Sequence, residues 1–354
     1  MSKKNHDTNR TEVSSLGEFG LIKHLTSQFN IENTSTIKAI GDDAAVIDTN
    51  FQFSLHSTDL LIEGVHFDLM YMPLKHLGYK SVIVNLSDIY AMNAEPEQIL
   101  VSIAISNRFS VEALEELYSG IQLACEKYGV DLVGGDTTTS PSGLMISITA
   151  IGRAPADEIV YRSGAKEHDL ICVSGDLGAA YLGIQLLERE KQVFLDNPKM
   201  QPELTEHTYC VGRQLKPEAR KDVIQSLKKN NILPTSMIDI SDGLSSEMLH
   251  ITESSGCGAR IYEEHIPLHN DTISLASEFN ISPVTAALSG GEDYELLFTV
   301  DQKDYDKIKN LTDVCVVGHI TAAKEKTVIV TESGNHYPLT AQGWNAFQKQ
   351  QREN

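Results

Sequence analysis

Apolar runs in this chain repeatedly end on aspartate, which constrains the fold to one whose buried strands and helices deliver carboxylates from their ends. Asp42 and Asp43 follow Ile37 to Ile40, Asp59 closes the run from Phe51, and Asp88 ends Ser81 to Asp88. Asp136 ends Val130 to Asp136, while Asp239 and Asp242 flank Ile240-Ser241. Carboxylates held by buried elements can converge on one point, where like charges repel unless cations sit between them. The pattern points to a multi-metal site for a phosphorylated ligand.

A chain of 354 residues is long enough for two domains, each with its own core. Its net charge of -20 argues against a nucleic-acid or anionic-membrane surface. Most of that acidity serves solubility, and the clustered aspartates are the exception. Cys125, Cys172, Cys210, Cys257 and Cys315 are widely spaced and contain no CxxC pair, so they read as buried thiols of a reducing, cytoplasmic protein. Met1 to Ser15 is polar and reads as a disordered tail, and no run approaches a membrane span.

Periodicity supplies an α/β element list. Phe19, Ile22, Leu25 and Phe29 mark one face of a first helix, and Phe51, Phe53 and Leu55 alternate as a strand that delivers Ser57-Thr58-Asp59 at its end. Residues 75 to 92 read as a helix with Val82, Leu86 and Ile89 on one face and Ser81, Asn85 and Asp88 on another. A buried polar stripe needs partners, because each unsatisfied group costs roughly 1 to 3 kcal/mol. Asp88 is therefore a candidate ligand facing the Asp42-Asp43 loop. Ser110 is a good N-cap for a helix with the stripe Leu114, Leu117, Tyr118, Ile121, Cys125 and Tyr128, ended by Gly129.

A strand at Val130 to Val133, a loop from Gly134 to Gly143 and a strand at Leu144 to Ile151 complete the first half. Gly152 to Pro155 is the expected linker, giving a tail at 1–15 and domains at 16–152 and 153–354. Beyond it come a strand at Asp169 to Ser174, a turn at Gly175 to Gly178 and a helix at Ala179 to Lys191. A second strand-turn-helix spans Met237 to Ser254 with Leu244, Met248 and Ile251 buried, followed by strands at Gly258 to Tyr262 and Tyr294 to Val300. Two α/β domains with mixed sheets result.

Each motif has a plain alternative. An Asp pair after Gly41 is more often a turn than a metal site, but Ser57, Thr58, Asp59, Asp88 and Asp136 add the hard oxygen donors that Mg²⁺ prefers. Gly134-Gly135-Asp136 reads equally as a hairpin turn or as a close backbone approach to phosphate. Ser241 or Asp242 suits an N-cap, and the same helix end would also attract phosphate or metal. His66 reads as a core histidine when taken alone, Arg162 as a surface charge or a phosphate contact, and Tyr118 as packing. Trp344, the only tryptophan, suits a packing anchor or a stacking platform. Walker, Rossmann, kinase-loop and zincin signatures are all absent.

Taken in order, Gly17-Glu18-Phe19, Gly41-Asp42-Asp43-Ala44, Ser57-Thr58-Asp59 with Glu63-Gly64-Val65-His66-Phe67, and Asn85-Leu86-Ser87-Asp88 carry a resemblance. So do Gly134 to Thr138, Arg162 to Lys166, Asp239 to Leu244 and Ser289 to Leu296. The ordered set resembles the thiamine-monophosphate kinase family, within the aminoimidazole ribonucleotide synthetase-like superfamily, from about residue 16 to Phe347. The resemblance implies a two-domain α/β (α+β) fold of mixed sheets flanked by helices, and a homodimer formed through the N-terminal sheet.

It also implies transfer of the ATP γ-phosphoryl group to thiamine monophosphate. By motif position, Asp43, Ser57, Thr58, Asp59, Asp88, Asp136, Asp239 and Asp242 would bind several Mg²⁺ ions. Tyr118, Gly135, Asp136, Arg162 and Ser241 would contact ATP, and His66, Glu292 and Trp344 the thiamine phosphate. The acceptor oxygen is already anionic, so no catalytic base is expected and transfer is direct and in line. Aspartates from both domains place the expected site in a cleft between them. Rival readings are another ATP-dependent synthetase of the superfamily, a metal-dependent phosphohydrolase and a non-catalytic metal binder.

Overall fold

The computed structural model describes residues 11, 24–38, 46–48 and 53–341. The Asp42-Asp43 loop, Trp344, Phe19 and Ile22 lie outside them, as does the tail apart from Thr11. Thr11 is tied down, because its N–H donates to the Glu112 carboxylate at 2.8 Å and its carbonyl accepts from Val111 N at 3.0 Å. The described residues form two compact units, one within Met1–Ile89 and Glu95–Ala154, the other within Tyr90–Ala94 and Pro155–Asn354.

In the N-terminal unit, β1 (Thr36–Lys38) pairs with β2 (Val46–Ile47). β3 (Phe53–Ile62), helix α1 (Leu74–Ala91), β4 (Glu95–Ile105), helix α2 (Val111–Tyr128), β5 (Asp131–Thr139) and β6 (Met145–Ala154) follow. Four strands form a mixed sheet in the order β3-β6-β4-β5, with β4 and β5 parallel and the other pairs antiparallel. One face buries Ile99, Val101, Ile103, Ile146, Ile148 and Ala150, each at most 3% exposed. Burial of an aliphatic side chain of this size contributes about 1.5–3 kcal/mol.

Helix α2 has the expected ends: Ser110 Oγ accepts from Ala113 N, and Gly129 is left-handed at φ 70°. Helix α1 is buried almost all round, and so the polar stripe is as enclosed as the apolar one. The two helices cross at glycines. A Cβ on Gly78 would lie 1.9 Å from Leu117 O, and one on Gly120 would lie 1.9 Å from Lys75 O.

Three expected boundaries are corrected, the first being the linker expected from Gly152, which is strand through Ala154, paired with β3. The strand holding Ser57-Thr58-Asp59 does not end there, because ten consecutive residues of β3 pair with β6. The expected loop from Gly134 is strand as far as Thr139, because pairing with β4 runs straight through the glycines.

The C-terminal unit contains β7 (Leu170–Ser174), α3 (Ala179–Asp196), α4 (Thr208–Leu215), α5 (Lys221–Lys229), β8 (Ser236–Ile240) and α6 (Leu244–Ser255). β9 (Gly258–Tyr262), α7 (Asn270–Glu278), α8 (Pro283–Ser289), β10 (Glu295–Val300), α9 (Tyr305–Ile308), β11 (Val314–Thr321), β12 (Thr327–Val330) and β13 (His336–Pro338) complete it. Its seven-stranded mixed sheet runs β13-β12-β9-β11-β7-β10-β8. Ile171, Val173, Ile238, Ile240 and Leu297 on the sheet pack with Leu244, Met248 and Ile251 on α6. That face is the one read from the spacing of the helix.

The cysteines are free, but Cys315 is exposed and Cys257 only partly buried, which corrects the expectation of five buried thiols. Cys315 alternates outward near the start of β11, so its strand period, not its composition, exposes it.

Candidate functional site

β3 is an outer strand, so its free edge has backbone groups to satisfy, and α1 supplies the partners. Asn85 Oδ1 accepts from Asp59 N at 2.9 Å, and its Nδ2 donates to Ser81 O at 3.0 Å. Ser81 Oγ donates to Gly78 O, and the Ser57 hydroxyl donates to Asp88 Oδ2. Ser57 and Asp59 share one face of the strand, and Ser81, Asn85 and Asp88 share one stripe of the helix. The sequence stripe is therefore a strand-to-helix bracket that gathers Ser57, Asp59 and Asp88. Thr58 points away, donating to Ile148 O at 3.1 Å and accepting from the Thr149 hydroxyl at 3.0 Å.

Asp136 lies on β5, opposite Ser102 of β4 and at the far edge of the same sheet. Three strand spacings of about 4.8 Å separate the two edges by roughly 14 Å. Asp136 and Asp59 therefore cannot ligate one ion within a single chain. The glycines before Asp136 are not a hairpin turn: Gly135 has φ 155°, and a Cβ there would lie 1.7 Å from Val101 O. Only glycine allows the strand to continue so close to its neighbour.

His66 is exposed, which overturns the core-histidine reading. Its Nδ1 accepts from Ile62 N at 3.0 Å, so the neutral ring carries its proton on Nε2. Tyr118 is buried, edge-on to Phe29 at 6.5 Å, and burial pushes its hydroxyl up to about 12. Arg162 is exposed, on a loop whose Gly164 and Ala165 N–H groups both donate to Ser255 Oγ at 3.2 Å.

In the C-terminal unit, Asp239 is buried on β8 opposite Leu296. Helix α6 starts at a Gly243 N-cap without a side-chain cap, which corrects the expectation that Ser241 or Asp242 caps it. Glu247, one turn inside, instead holds the main chain that leads into the helix: its Oε1 accepts from Ser241 N at 3.0 Å and Asp242 N at 2.7 Å. Burial raises Glu247 to about 7. The Asp242 carboxyl is also raised, first by burial and then by the charge of Glu292. A paired, partly desolvated set of this kind favours a cation.

The Gly290–Tyr294 loop docks on the same motif. Glu292 N donates to Ser241 O at 2.8 Å and Tyr294 N to Ile240 O at 2.9 Å. Both residues are left-handed, at φ 71° and 52°, a conformation that costs roughly 1–3 kcal/mol each and persists only when the surroundings enforce it. Gly291 is required, since a Cβ would lie 2.2 Å from Ser241 O.

Sequence reasoning missed Glu247, Arg213 and Asp131. Asp131 accepts from Glu32 N at 2.6 Å, Asn33 N at 3.1 Å and the Thr36 hydroxyl at 2.6 Å, anchoring the segment that leads into β1. An acidic residue at a strand start was the only available signal for it. Among the described residues, no three His, Cys, Asp or Glu side chains could hold a metal unaided. Hard oxygen donors in small sets still fit Mg²⁺, which keeps waters and binds through one or two carboxylates plus substrate phosphates.

Asp293 gives a stability prediction. It is fully buried, Oδ2 accepts from Gly178 N at 2.8 Å, and burial raises it to about 7. A carboxyl raised above its unfolded value contributes stability that is present below about pH 4 and is lost as pH rises through 7. From pH 6 to pH 8 the loss is on the order of 1 kcal/mol. Asp293→Asn is expected to flatten the pH dependence of the urea midpoint over that window; an unchanged slope would contradict the assignment.

The comparisons with known proteins follow the same division. Residues 41–154 match the N-terminal domain of AIR synthase related proteins, and residues 166–331 match the C-terminal domain. A thiamine-monophosphate kinase of Bacillus subtilis is 32% identical, with 94% of this chain and 100% of that protein covered. Its Aquifex aeolicus counterpart is 34% identical, with 85% and 92% covered. The solved structure of AaThiL complexed with AMPPCP and TMP superposes with a TM-score of 0.73 at 30% identity, covering 96% of this chain and 100% of that one. Hydrogenase maturation protein HypE in complex with ATP, at 17% identity and TM-score 0.71 with 90% and 94% covered, shares the fold alone.

Proposed function

We propose, because this chain belongs to the thiamine-monophosphate kinase family, that it transfers the γ-phosphoryl group of ATP to thiamine monophosphate, yielding thiamine diphosphate and ADP. The observation that carries the reading is the bracket of Ser57, Asp59, Asn85 and Asp88, which fixes oxygen donors on rigid elements. The acceptor is a phosphate oxygen that is anionic at neutral pH, so the chain needs no general base. Its residues hold two polyanions in line.

Bound Mg²⁺ would supply bridging of phosphate oxygens and charge neutralisation. Asp43, Ser57, Asp59, Asp88, Asp136, Asp239 and Asp242 would hold several such ions, with Thr58, whose hydroxyl is turned to β6, contributing through its main chain. Asp136, remote from Asp59 across the sheet, serves a different ion from the Asp88 group. Tyr118, Gly135, Asp136, Arg162 and Ser241 are assigned to ATP, and His66, Glu292 and Trp344 to thiamine monophosphate. Tyr118 would then act through packing beneath the nucleotide, given its burial. The exposed imidazole of His66, oriented by the Ile62 N–H on its Nδ1, suits a phosphate oxygen.

A homodimer is part of the proposal. The sheet face opposite the helices carries His56, Thr58, Leu60, Thr149, Leu100 and Ala104, none of them fully buried, and Leu60 is 51% exposed. A second copy packed there would cover it. The cytoplasm is the compartment we propose, from free thiols and the use of ATP. Among the described residues no helix is long and apolar enough to cross a membrane.

Incubation with MgATP and thiamine monophosphate tests the activity directly. Equal yields of ADP and thiamine diphosphate are expected. Phosphate release without the diphosphate would replace the kinase reading with a hydrolase.

A further inference from the structure

The Gly290–Tyr294 loop is held in an unfavourable backbone conformation by the Asp239–Gly243 motif and also by residues outside the recognised motifs. Helix α4 presents Tyr209 and Arg213 one turn apart, on one face. The Tyr209 hydroxyl donates to Asp176 Oδ2 at 2.5 Å, and its ring stacks on His269 at 3.8 Å. Arg213 Nη2 donates to Asp176 O at 3.1 Å and to Asp293 O at 3.3 Å, while Nη1 meets Glu295 Oε1 at 2.9 Å. One guanidinium thus ties together the turn after β7, the loop main chain and the first residue of β10. Its planar fork can reach three acceptors at fixed angles, which a lysine ammonium cannot reproduce.

Arg220 provides the internal comparison. It bonds the other oxygen of Glu295 at 2.5 Å and also meets Asp222 and Asp313, but makes no bond to the loop main chain. Both arginines neutralise Glu295, and only Arg213 grips the loop.

We propose that Arg213 is a positioning residue for Glu292: it locks the 290–294 loop against the Asp239–Gly243 motif and so presents Glu292 to the acceptor substrate. The role assigned to Glu292 rests on the kinase reading above; the locking of the loop does not.

Two measurements on full-length Arg213→Gln, Arg220→Gln and Arg213→Lys proteins test the two parts separately. In hydrogen exchange, Arg213→Gln is expected to speed exchange of the Glu292 and Tyr294 amides at least tenfold, while Arg220→Gln leaves them near the wild-type rate. In steady-state kinetics, Arg213→Gln is expected to raise KM for thiamine monophosphate about tenfold or more and to leave KM for ATP within about twofold. Arg213→Lys should recover only part of that loss, and Arg220→Gln should lower the thermal midpoint without a selective KM change. Wild-type exchange at Glu292 and Tyr294 in Arg213→Gln would overturn the lock. Faster exchange with equal changes in both KM values would overturn the positioning of Glu292. A wild-type protein inactive on thiamine monophosphate would refute the kinase reading, and with it the Glu292 role, leaving the lock to the exchange result.

Discussion

Asp88→Asn is expected to lower phosphoryl transfer by about 10³-fold or more while leaving the fold intact. The change is nearly isosteric, and the amide oxygen can still accept from the Ser57 hydroxyl that the carboxylate now holds. What is lost is one negative charge on the polar stripe of α1, beside the strand that carries Asp59. Removing charge from a partly buried carboxylate does not weaken the core, because Val82, Leu86 and Ile89 pack on the other side of the helix. Circular dichroism and the thermal midpoint should match wild type. Turnover within tenfold of wild type, with an intact spectrum, would show that Asp88 is not central to cation binding.

Gly78→Ala should have the largest effect on stability. An alanine normally favours a helix over glycine by about 1 kcal/mol. Here its Cβ would fall 1.9 Å from Leu117 O, a backbone atom that cannot rotate away. Helices α1 and α2 would have to separate along their whole crossing, including the matching contact at Gly120. We expect a loss of about 3 kcal/mol or more in urea unfolding. Gly129→Ala is the contrast: nothing lies within 4 Å of its Cβ position and only its φ of 70° is strained, so it should cost about 1 kcal/mol. A Gly78→Ala protein within 1 kcal/mol of wild type would mean that the crossing is looser than its geometry indicates.

Much of the candidate site was legible because its parts are local. The spacing of Ser81, Asn85 and Asp88 places them on one helical stripe whatever that helix packs against, and a buried polar stripe demands partners. The partner was not legible. It proved to be Ser57 and Asp59 in the middle of a strand, where the run of polar residues had suggested the strand's end. Edge position explains the difference: an outer strand tolerates polar side chains in its interior when a neighbouring helix satisfies them. The glycines before Asp136 misled in the same way, since the sequence carries turn chemistry and only the parallel partner β4 shows that they serve close approach.

The sequence by itself determined the buried faces of α1, α2 and α6 and the caps of α2. Those features depend on residues within a few turns of one another. Tertiary structure alone decided that Asp59 and Asp136 stand at opposite edges of one sheet and that Arg213 grips a loop eighty residues away. Each depends on strand order or on a long-range contact, and no periodicity within a segment encodes which distant segment will lie beside it.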